Sequence, residues 1–72
     1  MAQLPILSGK AAIKTLFSLG YREVRQRGSH IRLSCPGRKP VTVPNYTTID
    51  RALLRKILRD IELDPEEFLK WL

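Results

Sequence analysis

The chain has 72 residues, with 13 Lys and Arg against 7 Asp and Glu, a net charge of +6 and 43% hydrophobic residues. That length suits one compact unit over residues 1–72, burying about 60–65% of its unfolded surface, and excludes two domains. With only four Gly and five Pro, the apolar content also excludes a disordered tail or a collagen-like repeat.

Cys35 has no second cysteine to pair with, and one His and one Cys cannot fill a four-ligand zinc site. Packing must therefore supply the stability, and no metal or small-molecule cofactor is expected. No apolar run approaches the ~20 residues of a membrane span. The Leu4–Leu7 patch is too short, and lacks the basic flank, for a secretory signal. The expected address is the cytoplasm, with no membrane partner. Charge is spread unevenly: residues 1–59 hold twelve Lys and Arg against Glu23 and Asp50, whereas residues 60–72 hold five acids and Lys70. A body this cationic favours an anionic partner, nucleic acid above all, although charge that merely solubilises a small fold gives the same composition.

Ser8 precedes Ala12, Ile13, Leu16 and Phe17 on one helical face, with Lys10, Lys14 and Ser18 opposite and Gly20 as a stop, which predicts a helix over about 8–19. From Tyr21 the pattern changes to short alternation. Strands are expected over Tyr21–Arg27, His30–Cys35 and Pro40–Pro44, separated by Gly28-Ser29 and by Pro36–Lys39. Ile31, Leu33, Val41 and Val43 make one face apolar; His30, Arg32, Ser34 and Thr42 make the other polar. Ile49 to Ile61 returns to helical period, with a buried stripe of Leu53, Leu54, Ile57, Leu58 and Ile61 and with Arg51, Arg55, Lys56 and Arg59 outside. A last short helix reads from Asp64 as N-cap, Pro65 at the first position, Glu67 completing a capping box and Leu63 with Phe68 as a hydrophobic staple. Trp71 is expected to anchor that helix on the core, since so short a segment is not helical alone. The fold class is α+β, ordered α-β-β-β-α plus a C-terminal helix, with helices on one side of a three-stranded antiparallel sheet.

The open face and its turn gather Arg25, Arg27, Gly28, Ser29, His30 and Arg32 within eight residues. Guanidinium forks suit phosphate, and Gly28 lets a backbone N–H approach a bulky anion; the same Gly-Ser pair also reads as a hairpin turn. His30 is the one side chain whose ordinary titration lies near neutrality, so acid–base chemistry at pH 7 would centre on it. Removing the proton of an RNA 2′-OH lets that oxygen attack the adjacent phosphorus without a metal, with the arginines stabilising the added charge. The plainer reading is a polar strand residue. No second His is present to protonate the leaving oxygen, which leaves water, Tyr46 or an Arg-polarised donor. Cys35, beside Pro36, reads as a small packing residue.

Several stretches together resemble a known family: Leu7-Ser8-Gly9-Lys10, Leu19-Gly20-Tyr21, Val24-Arg25-Gln26-Arg27-Gly28-Ser29-His30, Val41-Thr42-Val43-Pro44 and Leu54-Arg55-Lys56-Ile57-Leu58. Over nearly its whole length the chain is similar to the HicA (YcfA-like) toxins of type II toxin–antitoxin systems. The resemblance implies a double-stranded-RNA-binding-domain-like fold, an mRNA interferase activity that blocks translation, a catalytic His falling on His30, and a HicB-type antitoxin that covers the site. Many relatives carry a second His shortly after the Val-Pro of the third strand and a Gly-Thr-Leu opening of the second long helix. This chain has Tyr46 and Ala52-Leu53-Leu54 there. A flexible strand is needed to align the attacking oxygen, so single-stranded mRNA is the expected substrate, and a non-cleaving RNA-binding module of the same fold is the alternative.

Overall fold

Helix α1 spans Gly9–Ser18 in the computed structural model, which describes residues 3–72; residues 1 and 2 of the expected unit lie outside the described residues. Ser8 holds extended backbone and its hydroxyl accepts the Ala11 N–H at 3.0 Å, satisfying one of the helix's free donors. At the other end the Tyr21 N–H donates to the Leu16 carbonyl and the Gly20 N–H to the Phe17 carbonyl, both at 3.0 Å. This reversal needs left-handed backbone, supplied by Gly20 at φ +111°. It delivers Tyr21 into the core, where its hydroxyl donates to the Lys39 carbonyl at 2.8 Å. Burial pushes that hydroxyl above its usual pKa, and the neighbouring Cys35 adds to the rise.

Three antiparallel strands follow in the order β1-β2-β3: β1 is Arg22–Arg27, β2 His30–Ser34 and β3 Val41–Pro44. Each expected strand has lost at most one terminal residue; Tyr21, for one, has its N–H in the helix cap. Ile31 and Leu33 of β2 face Val43 and Val41 of β3, and all four are buried beneath the helices. Helix α2, Arg51–Asp60, is capped by Asp50, whose carboxylate accepts the Leu53 N–H at 2.8 Å. It buries Leu54, Ile57 and Leu58 while Leu53 stays half-buried. Its end repeats the reversal of α1, with Leu63 N–H on the Leu58 carbonyl at 2.9 Å and Glu62 N–H on the Arg59 carbonyl at 3.1 Å, but the left-handed position is Glu62, at φ 57°. Helix α3, Pro65–Trp71, completes the α+β fold in the expected order and packs against α1. The N-terminal segment lies beside the start of α2: Leu7 bridges Ile49, and the Leu4 carbonyl accepts from Arg51 Nε at 2.6 Å.

Four expectations are corrected. Phe17 is not in the buried stripe of α1; it is 37% exposed with the Arg22 guanidinium 6.0 Å from its ring centre, and Thr15 is buried instead, its hydroxyl donating to the Ala11 carbonyl. The capping box of α3 does not form, because Asp64 accepts from the Glu66 N–H while Glu67 accepts from the Trp71 indole N–H at 3.0 Å. Trp71 is 48% exposed, and the aromatic anchor is Phe68, wholly buried three residues earlier. The helices cover the inner face of β2 and β3 only; every residue of β1 is exposed.

Candidate nucleic-acid interface

Residues opposite one another in an antiparallel pair share a face, and in β1 an irregularity decides which face the arginines take. Glu23 stands opposite Leu33, a core-facing residue, and simple alternation would put Arg25 on that same side. The register shifts between Glu23 and Arg25, so that Arg25 instead opposes Arg32 and Arg27 opposes His30. Val24 is the extra residue of this bulge, and the bulge turns both arginines to the open face. Gly28, at φ +58°, fills the first central position of the two-residue turn between β1 and β2, a conformation that favours glycine. Nothing lies within 4 Å of where a Cβ would stand, so the space beside the turn is open.

Arg25, Arg27, His30, Arg32 and Thr42 together line a hollow of about 180 Å³. Arg32 donates through Nη1 to Thr42 Oγ1 at 3.1 Å, which holds its guanidinium over the sheet. Among the described residues the ion pairs all lie elsewhere, at Lys39–Glu62, Lys56–Asp60 and Lys70–Glu67, so Arg25 and Arg27 face the hollow without a carboxylate partner. His30 is exposed at the head of β2, between Arg27 and Pro44 in the register. The predicted Gly28 and Ser29 sit in the turn beside the hollow and do not line it. Thr42 was legible only as an outward residue of β3, and its role as partner of Arg32 depends on the register.

Tyr46 adds a side chain from beyond β3. Its ring centre lies 6.1 Å from that of His30 with the planes at 79°, and it is 45% exposed. The backbone on either side of it is clamped. The Asn45 N–H donates to the Ser29 carbonyl at 2.6 Å and the Gly9 N–H to the Tyr46 carbonyl at 2.7 Å. A Cβ on Gly9 would collide with the Pro44 carbonyl oxygen and stand 2.7 Å from Asn45 Cα and 2.9 Å from Tyr46 N. Close approach of backbone to backbone is therefore why a poor helix former begins α1. Its sequence signal, a glycine directly after a serine N-cap, is weak.

A family model described as the HicA toxin of bacterial toxin-antitoxin matches residues 9–63. The chain belongs to the HicA toxin family. The match runs from Gly9, which seats the Tyr46 segment, to Leu63 at the end of the α2 reversal, and so contains every residue of the hollow. Helix α3 lies outside it. Comparison with curated proteins and with solved structures gives no match. HicA membership makes this a toxin of a toxin–antitoxin pair and implies an antitoxin as its partner. No helix among the described residues is long and apolar enough to cross a membrane.

Proposed function

We propose that this HicA-family toxin is an endoribonuclease that cleaves single-stranded mRNA in the cytoplasm, with His30 as general base. The observation that carries the reading is the convergence of an exposed imidazole with Arg25, Arg27 and Arg32 on one hollow. The phosphodiester lies in the hollow, held by the guanidinium groups, while Gly28 and Ser29 leave its rim open to a bulky anion. A ring nitrogen of His30 takes the proton of the ribose 2′-OH. The freed oxygen bonds to phosphorus, the bond from phosphorus to the 5′ oxygen breaks, that oxygen takes a proton from water, and the hydroxide so formed takes back the proton held by His30. The products are a 2′,3′-cyclic phosphate and a 5′-OH. Because the nucleophile belongs to the RNA, the step needs no metal or other cofactor. The arginines stabilise the charge added to the phosphorane, and a positioned base accelerates such a step by about 10²–10⁴-fold.

A HicB-type antitoxin that covers the hollow would silence it, and the same unpaired arginines would attract acidic groups on that partner. Charge reversal at Arg27 or Arg32 is then expected to weaken binding of both RNA and antitoxin. The deciding experiment is a gel of mRNA incubated with purified protein, wild type beside His30→Ala. Cleavage by the wild type and its loss in the variant are expected. Equal cleavage by both removes His30 from the mechanism, and salt-sensitive retention of intact RNA by the wild type leaves a binding module that does not cut.

A further inference from the structure

The hollow accounts for phosphate and for the proton, but not for a base. A phosphate cradle alone grips double and single strands alike, and does nothing to hold one nucleotide in the posture that in-line attack requires. Tyr46 stands where that requirement falls. Among the described residues it is the large exposed aromatic beside the hollow; Phe17 and Trp71, the other two aromatics with substantial exposure, lie on α1 and α3. Its ring is set at 79° to the imidazole, so the two rings do not stack on one another, and the imidazole can touch at most one face of the phenol. The polypeptide under it is fixed at both ends by the bonds from Asn45 to Ser29 and from Gly9 to Tyr46, and the missing Cβ of Gly9 permits that fit. The ring is thus a half-exposed aromatic on a braced segment, its centre 6.1 Å from that of His30.

We infer that Tyr46 is a stacking platform for an unpaired nucleobase, and that the base seated on it presents its own ribose 2′-OH to His30. The inference rests on the ribonuclease reading and supplies its positioning element. A base can reach a ring in this position only if it is free of its duplex partner, which gives the site its preference for single strands. Stacking is tolerant of base identity because every base has a π-face, so Tyr46 selects for an unpaired base and not for a particular one.

The test measures binding separately from cleavage. Short single-stranded oligonucleotides with 2′-fluoro sugars lack the nucleophilic hydroxyl and stay intact, and 2-aminopurine in one position reports stacking through quenched fluorescence. Tyr46→Ala is expected to weaken binding by roughly ten- to hundred-fold and to remove the quenching. Tyr46→Phe and Tyr46→Trp keep a π-face and are expected to retain both. An oligonucleotide with a single abasic position at the quenched site should bind wild type and Tyr46→Ala equally. Equal affinity and quenching for wild type and Tyr46→Ala overturn the platform, as does loss of both signals in Tyr46→Phe. Full stacking signals from a wild type that leaves natural mRNA uncut would instead overturn the nuclease reading and keep the platform.

Discussion

β1 and β3 flank the same central strand and have opposite fates. β3 buries Val41, Val43 and Pro44 and leaves Thr42 outward, whereas β1 exposes all six of its residues, including Val24. The physical difference is what lies behind each. α1 and α2 both pack on β3, so its inner face joins the core, while β1 extends past the edge of the helical layer and is held by the ladder to β2 and the Gly28 turn. A strand relieved of core packing is free to carry unpaired arginines, and its bulge aims them. The two outer strands of one small sheet thus differ in kind: β3 carries core packing and β1 carries arginines without a carboxylate partner.

That division can be broken on purpose. The largest effect is expected at the shared centre: His30→Ala should lower RNA cleavage by about 10²–10⁴-fold while the thermal midpoint stays within a few degrees, measured by product formation beside a melting curve. Next comes β3, where Val43→Ala is expected to cost about 2 kcal/mol and lower the midpoint by roughly 10 °C, with the activity of the folded fraction intact. The mirror experiment on β1, Arg27→Ala, should leave stability within about 0.5 kcal/mol but weaken RNA binding and reduce the salt slope by about 0.7. A destabilised Arg27→Ala, or a Val43→Ala that binds RNA poorly when folded, would erase the contrast between the strands.

The smallest effect concerns the ion pair that joins the turn after β2 to the end of α2. Donation from Lys39 to Glu62 raises the lysine pKa and lowers that of the carboxylate, and both side chains are exposed. A lowered carboxylate stabilises the fold above its unfolded value and loses that contribution as pH falls through the folded one; a raised lysine stabilises below its unfolded value and loses it as pH rises through the folded one. The pair therefore acts between the carboxylate and lysine ranges. Wild type and Glu62→Gln should differ slightly in thermal midpoint at neutral pH and converge in strong acid. A gap that persists there would assign the difference to the left-handed backbone at position 62.

The order of elements was legible because periodicity reports which face of each segment is buried: Ile31, Leu33, Val41 and Val43 at period two, Leu54, Ile57 and Leu58 at helical spacing. Local chemistry also placed the caps at Ser8 and Asp64 and the turn glycine, since each depends only on neighbouring residues. The misreadings at Phe17, Glu67 and Trp71 share one cause. Several partners compete for each side chain, and the competition is settled by groups that folding brings close, Arg22 for Phe17 and the indole N–H for Glu67.

By itself the sequence determined the α+β order, the cationic character of the open strands and the motif that marks the HicA family. Tertiary structure alone decided that a bulge at Val24 turns Arg25 and Arg27 toward His30, that Thr42 secures Arg32, and that Gly9 seats the segment carrying Tyr46. Register and close approach are relations between distant parts of the chain, fixed by the summed packing of both partners, and a reading of either partner alone does not contain them.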